Sequence, residues 1–171
     1  MLSISGFQNG ILSDTVSVHC LKSNKWSYLT QRIKVARRQA SGCMVGNFIY
    51  LVCGFAETRK TNQIERMFVD GLSDTRHDWE LFNPSEEVLG PRTLPILYAI
   101  GDSHLAILGG QNFNQQYEKI FHRDVLLLDC ETQQIQKIKE LDHGFEASFN
   151  SVSELTQDGK VYALGSSEIG F

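Results

Sequence analysis

The sequence predicts an all-β fold of repeated antiparallel units, on three observations. A polar tight turn, an apolar run and a glycine recur together: Val45-Gly46-Asn47 leads to Cys53-Gly54-Phe55, Ile100-Gly101-Asp102 to Leu108-Gly109-Gly110, and Gln157-Asp158-Gly159 to Leu164-Gly165-Ser166. A first copy survives as Leu2-Ser3-Ile4-Ser5-Gly6-Phe7. The strand-ending glycines Gly6, Gly54, Gly109 and Gly165 then stand 48, 55 and 56 residues apart. Finally, Trp26 and Trp79 each open a short apolar run 53 residues apart, and Ile135 follows 56 residues later in the same role. A period of this length marks supersecondary units that bury their faces only against neighbours.

Each repeat reads as four strands, a to d from the inside outward. Strand a lies near Ala40–Met44, Leu94–Ala99 and Ser151–Leu155, and strand b is the apolar run before each glycine. Strand c covers Thr15–Cys20, Gln63–Val69 and Arg123–Asp129. Strand d begins at Trp26, Trp79 and Ile135. The Gly-Asn, Gly-Asp and Asp-Gly pairs sit where a tight a–b hairpin needs residues that tolerate positive φ. Arg37-Arg38 and Pro91-Arg92 precede two of these hairpins at similar distances.

This order of marks resembles the kelch family of β-propellers. The residues that carry the likeness are the Gly109-Gly110 pair, its weaker forms Gly54-Phe55 and Gly6-Phe7, the aromatics Tyr50 and Tyr162, and the trailing Trp26 and Trp79. It extends over essentially the whole chain, with the full double glycine in one repeat and no tryptophan in the third. The resemblance implies a kelch-type β-propeller segment of four-stranded antiparallel blades. It is read as one partial propeller over 1–171, with repeats at about 1–31, 32–83, 84–139 and 140–171.

The reading gives b-c-d, then a-b-c-d twice, then a-b, thirteen strands in all. Propellers hold about 4–8 blades, and the kelch likeness implies six or seven. Three blades leave apolar blade faces in water, which predicts association. Three completions stand open: a stretch of a longer propeller, a half-propeller that pairs with its own copy, or an open array resting on a larger assembly. Leu2–Phe7 reads as the end of a strand b without its hairpin partner, which favours the first.

Composition narrows the function classes. The 171 residues are 42% hydrophobic, which can supply a sizeable core, and the net charge of −4 gives no basic footprint for nucleic acid. No apolar run approaches the ~18–20 residues of a membrane span. The start has no charged and apolar signal pattern. Cys20, Cys43, Cys53 and Cys130 show no paired spacing and no Cys-x-x-Cys. They read as small buried hydrophobes of a reducing compartment, with no metal site and no cofactor expected. The expected location is the cytoplasm, with cytoskeletal association as one setting.

Several catalytic motifs fail. His122-Arg123-Asp124 matches the opening of a kinase catalytic loop, but Asp129 stands where its metal-binding Asn belongs, and no Asp-Phe-Gly or glycine-rich loop exists. Gly109-Gly110 is followed by neither a Gly-x-Gly-x-x-Gly pattern nor a Gly-Lys-Ser/Thr. It reads as a close approach of neighbouring backbones. The histidines His19, His77, His104, His122 and His143 fall in different repeats or at different depths. The expectation is that the chain is not an enzyme.

In an antiparallel blade the b–c and d–a loops emerge on one face. Here the d–a loops are Gln31–Arg38, Asn83–Arg92 and Lys139–Asn150, and the b–c loops are Ala56–Asn62 and Gln111–His122. Long loops on a rigid scaffold are where binding resides. This face is expected to carry Arg37, Arg38, Arg59 and Lys60 beside Phe113, Tyr117 and Phe121, residue types that anchor protein interfaces. The basic cluster Lys34–Arg38 suggests an acidic partner surface.

The expected function is a protein–protein interaction scaffold. What the resemblance implies is substrate recruitment for ubiquitin ligases, cytoskeletal contact, or a structural place in a large cytoskeletal or ciliary assembly. Partners are proteins, including a further chain or copy that completes the propeller, and neither nucleic acid nor membrane. The chain shows no BTB-type or F-box-type helical module. A central-channel enzyme is the competing class, and strands a offer it only Tyr98 and Glu154.

Overall fold

Short apolar segments bounded by Gly, Asn and Asp turns fold this chain into β-strands. The computed structural model describes residues 2–69, 78–143, 145–147, 153–155, 161–163 and 165–167. The first repeat holds β1 (Leu2–Gln8), β2 (Ile11–Cys20) and β3 (Lys25–Tyr28), which form one sheet in that order. Asn9 (φ 52°) and Gly10 (φ 82°) close the β1–β2 hairpin in two residues. Positive φ at both positions matches the right-handed twist of the flanking strands.

The second repeat runs through β4 (Ser41–Val45), β5 (Phe48–Val52), β6 (Phe55–Ala56), β7 (Arg59–Lys60), β8 (Ile64–Phe68) and β9 (Glu80–Phe82). The third runs through β10 (Ile96–Ile100), β11 (His104–Leu108), β12 (Gln111–Phe113), β13 (Lys119–Phe121), β14 (Asp124–Asp129) and β15 (Ile135–Glu140). Each forms an antiparallel four-stranded sheet, β4-β5-β8-β9 and β10-β11-β14-β15. The last described strands are β16 (Phe145–Ala147), β17 (Ser153–Leu155), β18 (Val161–Ala163) and β19 (Gly165–Ser167), with β17 paired to β18 and β16 to β19.

Strands a to d of the second and third repeats thus fall within a few residues of the expected positions. The b–c connections differ from expectation. Ala56–Asn62 and Gln111–His122 are not open loops, because β6 pairs with β7 and β12 with β13. Ladder bonds satisfy backbone groups that a loop would leave to water. The architecture is all-β with antiparallel sheets, and among the described residues no sheet closes on itself.

The sheets stack through faces set by the two-residue side-chain period. In β5, Ile49 and Leu51 pack with Val16, Ile33, Met67 and Trp79 between the first two sheets. The alternate residues Tyr50 and Val52 pack with Ile64, Leu105, Ile107, Leu126 and Leu128 between the second and third. With both faces covered, the strand reads as a continuous apolar run. Each fully buried Leu or Ile contributes about 1.5–3 kcal/mol. Trp79 is 2% exposed in the first of these interfaces, whereas Trp26, the matching residue by spacing, is 53% exposed on β3 beside His19. The same sequence mark therefore has different packing. Trp79 meets a preceding sheet, and Trp26 lies on the open face of the first sheet.

The repeated glycines also need a register correction. Two successive residues of positive φ end each strand b: Ser5 (62°) with Gly6 (131°), Cys53 (59°) with Gly54 (112°), and Gly109 (59°) with Gly110 (92°). Gly110, not Gly109, is the counterpart of Gly6 and Gly54, which makes the steps 48 and 56 residues. The backbone explains why. A Cβ on Gly54 would stand 2.9 Å from the Arg38 carbonyl oxygen, and one on Gly110 would stand 3.0 Å from that of Thr93. The fourth glycine, Gly165, lies on β19 opposite Ala147. Tyr162 lies on β18 opposite Glu154.

A repeated arginine locks each unit. Arg37 is fully buried, and its Nε donates to the Val35 carbonyl at 3.2 Å. Its Nη1 donates to the carbonyls of Cys53 (3.2 Å) and Gln63 (3.0 Å), and its Nη2 pairs with the Glu65 carboxylate. Arg92, 55 residues on, repeats the pattern with the Gly90 carbonyl (3.0 Å), the Gly109 carbonyl (2.9 Å) and Asp124 (2.5 and 2.8 Å). The main chain links adjacent repeats at the same place. Gly6 N–H donates to the Arg37 carbonyl at 3.1 Å, and Gly54 N–H to that of Arg92 at 2.9 Å. Burial lowers the pKa of Arg37, and Glu65 opposes that shift. The fork of guanidinium donors suits this role because it reaches a carboxylate and two carbonyls at once.

Candidate functional site

The b–c hairpins and the d–a segments sit together on one side of the stacked sheets. Strand direction dictates this, since alternate turns of an antiparallel sheet emerge at opposite ends. Between the first two repeats the segments leave a cleft of about 760 Å³, lined by Phe7, Ile11, Asp14, Lys34, Glu57 and Arg59 among others. Between the second and third lies a smaller polar cleft of about 350 Å³, with Arg59, Lys60, Asn62, Asn83, Glu86 and Asn112 in its wall. Arg59, at the end of the short β6–β7 hairpin, borders both.

The structure redistributes the seven residues expected to meet a partner. Arg37 does not belong to this surface. Its guanidinium is the buried lock described above, since three carbonyls and a carboxylate replace the water it would otherwise hold. Lys60 is also mostly buried. Its Nζ donates to the Gln111 carbonyl at 3.1 Å and lies 4.1 Å from the centre of the Phe113 ring. Arg38 is half-buried, with its guanidinium 4.8 Å from the Phe7 ring centre and 5.0 Å from that of Phe55. Arg59 and Phe113 are exposed, and Tyr117, at the tip of the β12–β13 hairpin, is 88% exposed. Phe121 is half-buried under Lys119.

Charged and aromatic side chains thus link the repeats along this rim. Arg38 of the second repeat rests on Phe7 of the first, and Lys60 of the second rests on Phe113 of the third. Such contacts are worth about 0.5–1 kcal/mol where exposed and more where water is displaced. Phe7, Phe55, Ile11 and Ile120 were not among the expected residues. The sequence held a signal for two of them, because Phe7 and Phe55 each follow the repeat glycine directly.

Below the rim, His122 stands beside Arg92 and Asp124. Its pKa is pushed down to about 4, chiefly by burial and then by the neighbouring Arg92 and Lys60, with Asp124 opposing. Asp124 is held below the usual carboxylate range. Burial works to raise it, but the two hydrogen bonds and the charge of Arg92 outweigh that. A histidine with a lowered folded-state pKa is neutral in the fold while the unfolded chain takes up a proton. Stability is therefore present above about 6.5 and falls as pH drops toward 4. The depressed Asp124 adds loss in the same direction at lower pH. Thermal melts of wild type and His122→Gln across this range should diverge, with the variant flatter between pH 6.5 and 4. Parallel curves would remove His122 as the group responsible.

Among the described residues no group of three His, Cys, Asp or Glu side chains could hold a metal ion. No described helix is long and apolar enough to cross a membrane. Cys20, Cys43, Cys53 and Cys130 are unbridged; Cys53 and Cys130 are buried as expected, but Cys20 is exposed and Cys43 half-buried, and burial raises the pKa of Cys53 to about 12. That suits packing and not nucleophilic chemistry. Of the two strand-a candidates for a central-channel site, Tyr98 is buried against Ile96, Ala106 and Leu108. The Glu154 side chain lies outside the described residues.

No family model matches the chain, and no curated protein matches it. Among solved structures it is similar to the structure of YjhT, at 18% sequence identity and a TM-score of 0.65. The match covers 91% of this chain and 49% of that one, so the chain spans about half the length of YjhT. At this identity the likeness shows the fold alone.

Proposed function

We propose that the chain is a portion of a kelch-like β-propeller that serves as a non-catalytic protein–protein interaction scaffold. The repeating a-b-c-d sheets, their stacking, and the recurring glycine and arginine locks support the propeller reading. One partial propeller over 1–171 is the domain organisation this implies, with its open faces covered by further chain or by a second copy. The four unbridged cysteines suit a reducing compartment such as the cytoplasm.

The observation that carries the interaction reading is the rim itself. Phe7, Ile11 and Arg59 are exposed in the wall of the larger cleft, and Phe113, Tyr117 and Ile120 are exposed on the β12–β13 hairpin, so three successive repeats contribute. Exposed aromatic and arginine side chains on rigid hairpins match the make-up of interface anchors. The ligase, cytoskeletal and assembly roles of the resembled family are the settings for such a rim.

The test is cross-linked capture of partners in cells by the tagged chain and two variants. Phe113→Glu with Tyr117→Glu alters the rim, and Asp102→Lys alters the exposed a–b turn at the other end of the third sheet. One set of proteins should be lost with the rim variant and retained with the turn variant. Equal capture by all three would overturn the assignment of the binding face.

A further inference from the structure

The tip of the β12–β13 hairpin carries an aromatic that the packing of the fold does not use. Residues Gln115–Ile120 are all exposed, and Tyr117 is 88% exposed. Its φ is 62°, a region that a bulky residue enters only under strain. The side chain of Asn114 holds the tip in this form. Its Oδ1 accepts from the N–H of Gln116 at 3.0 Å and of Glu118 at 2.8 Å, and its Nδ2 donates to the Glu118 carboxylate at 2.8 Å. The Tyr117 N–H donates to the Asn114 carbonyl at 3.1 Å. The backbone thus spends strain to hold a phenol in open water, where an outside group can reach its hydroxyl.

The chain after Tyr117 has the form of a recognition segment. It runs directly into β13, which among the described residues pairs with β12 alone, so its outer edge is open. Ile120, three residues after Tyr117, is 42% exposed. Three residues of extended chain span ~10 Å. The β12–β13 ladder holds three residue pairs. A two-stranded hairpin of this size is marginally stable by itself, so the tip can open locally while the stacked sheets stay folded. An extended form is what an enzyme or a reading domain takes into a groove.

We propose that Tyr117 is a tyrosine-phosphorylation site, and that the segment Tyr117–Ile120 then docks a phosphotyrosine-reading domain. In the step, the Tyr117 Oη attacks the γ-phosphorus of ATP held by a protein tyrosine kinase. The new O–P bond forms as the bond from that phosphorus to the β–γ bridging oxygen breaks. ADP leaves, and the phenolic proton passes to the base of the kinase. The product carries about −1.5 to −2 charge at pH 7. A reader forks the phosphate with arginine and takes Ile120 into an apolar pocket ~10 Å further on. The other tyrosines with described side chains fit less well. Tyr50 and Tyr98 are buried. Tyr28 is 78% exposed, but it lies in the β2–β3 ladder opposite Ser17, and the polar Gln31 stands three residues after it. The proposal stands on the hairpin alone and does not need the rim partner inferred above.

The test incubates the intact chain with ATP, Mg²⁺ and a tyrosine kinase catalytic domain that phosphorylates the free peptide of residues 112–122, and maps the product by mass spectrometry. Phosphate should enter at Tyr117 ahead of Tyr28, and Tyr117→Phe should lose that site alone. The reader probe is an isolated SH2 domain that takes an apolar residue three places after its phosphotyrosine. By fluorescence anisotropy it should bind the phosphorylated chain about a hundredfold more tightly than the unmodified one. Ile120→Ser should weaken that binding roughly tenfold. Ile120 is exposed, so this variant keeps the fold. An intact chain left unmodified while the free peptide is phosphorylated overturns the site, and so does faster modification of Tyr28. No binding of the phosphorylated chain, or equal binding with Ile120→Ser, overturns the docking. None of these results decides the scaffold reading, which the cellular capture tests separately.

Discussion

Gly54→Val is expected to destabilise the fold by about 3 kcal/mol or more. Gly54 has φ +112°, a backbone region that side-chain-bearing residues rarely adopt. An added Cβ would also stand 2.9 Å from the Arg38 carbonyl oxygen, 3.0 Å from the Ala40 Cβ and 3.1 Å from the Ala40 nitrogen. Two of these three atoms are backbone, so no rotamer change relieves the clash. The segment that would have to shift carries the Arg38–Phe55 bridge and leads into β4. Gly110→Val should act alike, with the Thr93 carbonyl oxygen at 3.0 Å. Gly10→Val is the control, because its φ is also positive, at +82°, but no atom lies within 4 Å of its added Cβ. That variant carries the conformational cost alone, about 1–2 kcal/mol. The difference between the two valine variants in urea unfolding isolates the close approach. Equal losses would mean that the segments do not meet at Gly54.

Much of this fold was legible because its marks depend on local chemistry. Turn pairs such as Gly46-Asn47 and Gly101-Asp102 need positive φ at the glycine, and continuous apolar runs such as Phe48–Val52 need two buried faces. Other features depend on neighbours that no single repeat encodes. Gly109 and Gly110 are both glycine, and only the tertiary contact at Thr93 tells which one the fold requires. Ser5 and Cys53 occupy the position of Gly109 with φ near 60°, so glycine is dispensable there. Trp26 and Trp79 carry the same mark, yet the sheet in front decides which is buried. The candidate rim was legible as a set of hairpins and loops on one side. Which of its cations face water was not, since Lys60 turns onto Phe113 and Arg37 turns inward. The signal for Arg37 lay in its 55-residue spacing to Arg92, a period shared with the glycines and not expected of a surface charge.

Arg37→Ala is expected to be as damaging as any glycine change, with a loss of about 3–5 kcal/mol. The truncation leaves the carbonyls of Cys53 and Gln63 and the Glu65 carboxylate without their guanidinium. Both side chains of this pair are fully buried, so water cannot take the place of the lost donors. Glu65 keeps two backbone donors, Lys34 N–H at 2.5 Å and Val35 N–H at 3.1 Å, but they carry no full charge. Arg37→Lys should recover only part of the loss, because an ammonium cannot fork to a carboxylate and span to two carbonyls. Arg92→Ala should cost less, since the side chain of Asp124 is 18% exposed and can be hydrated. Removing both charges, as in Arg37→Leu with Glu65→Leu, should cost less than Arg37→Ala alone, because no unpaired ion stays buried. The order to check by denaturant titration is Arg37→Ala, then Arg92→Ala, then Arg59→Ala, whose exposed guanidinium should leave stability almost unchanged. If Arg37→Ala were as mild as Arg59→Ala, Arg37 would be a surface residue after all. The lock that joins strand b, strand c and the preceding repeat would then have to lie elsewhere.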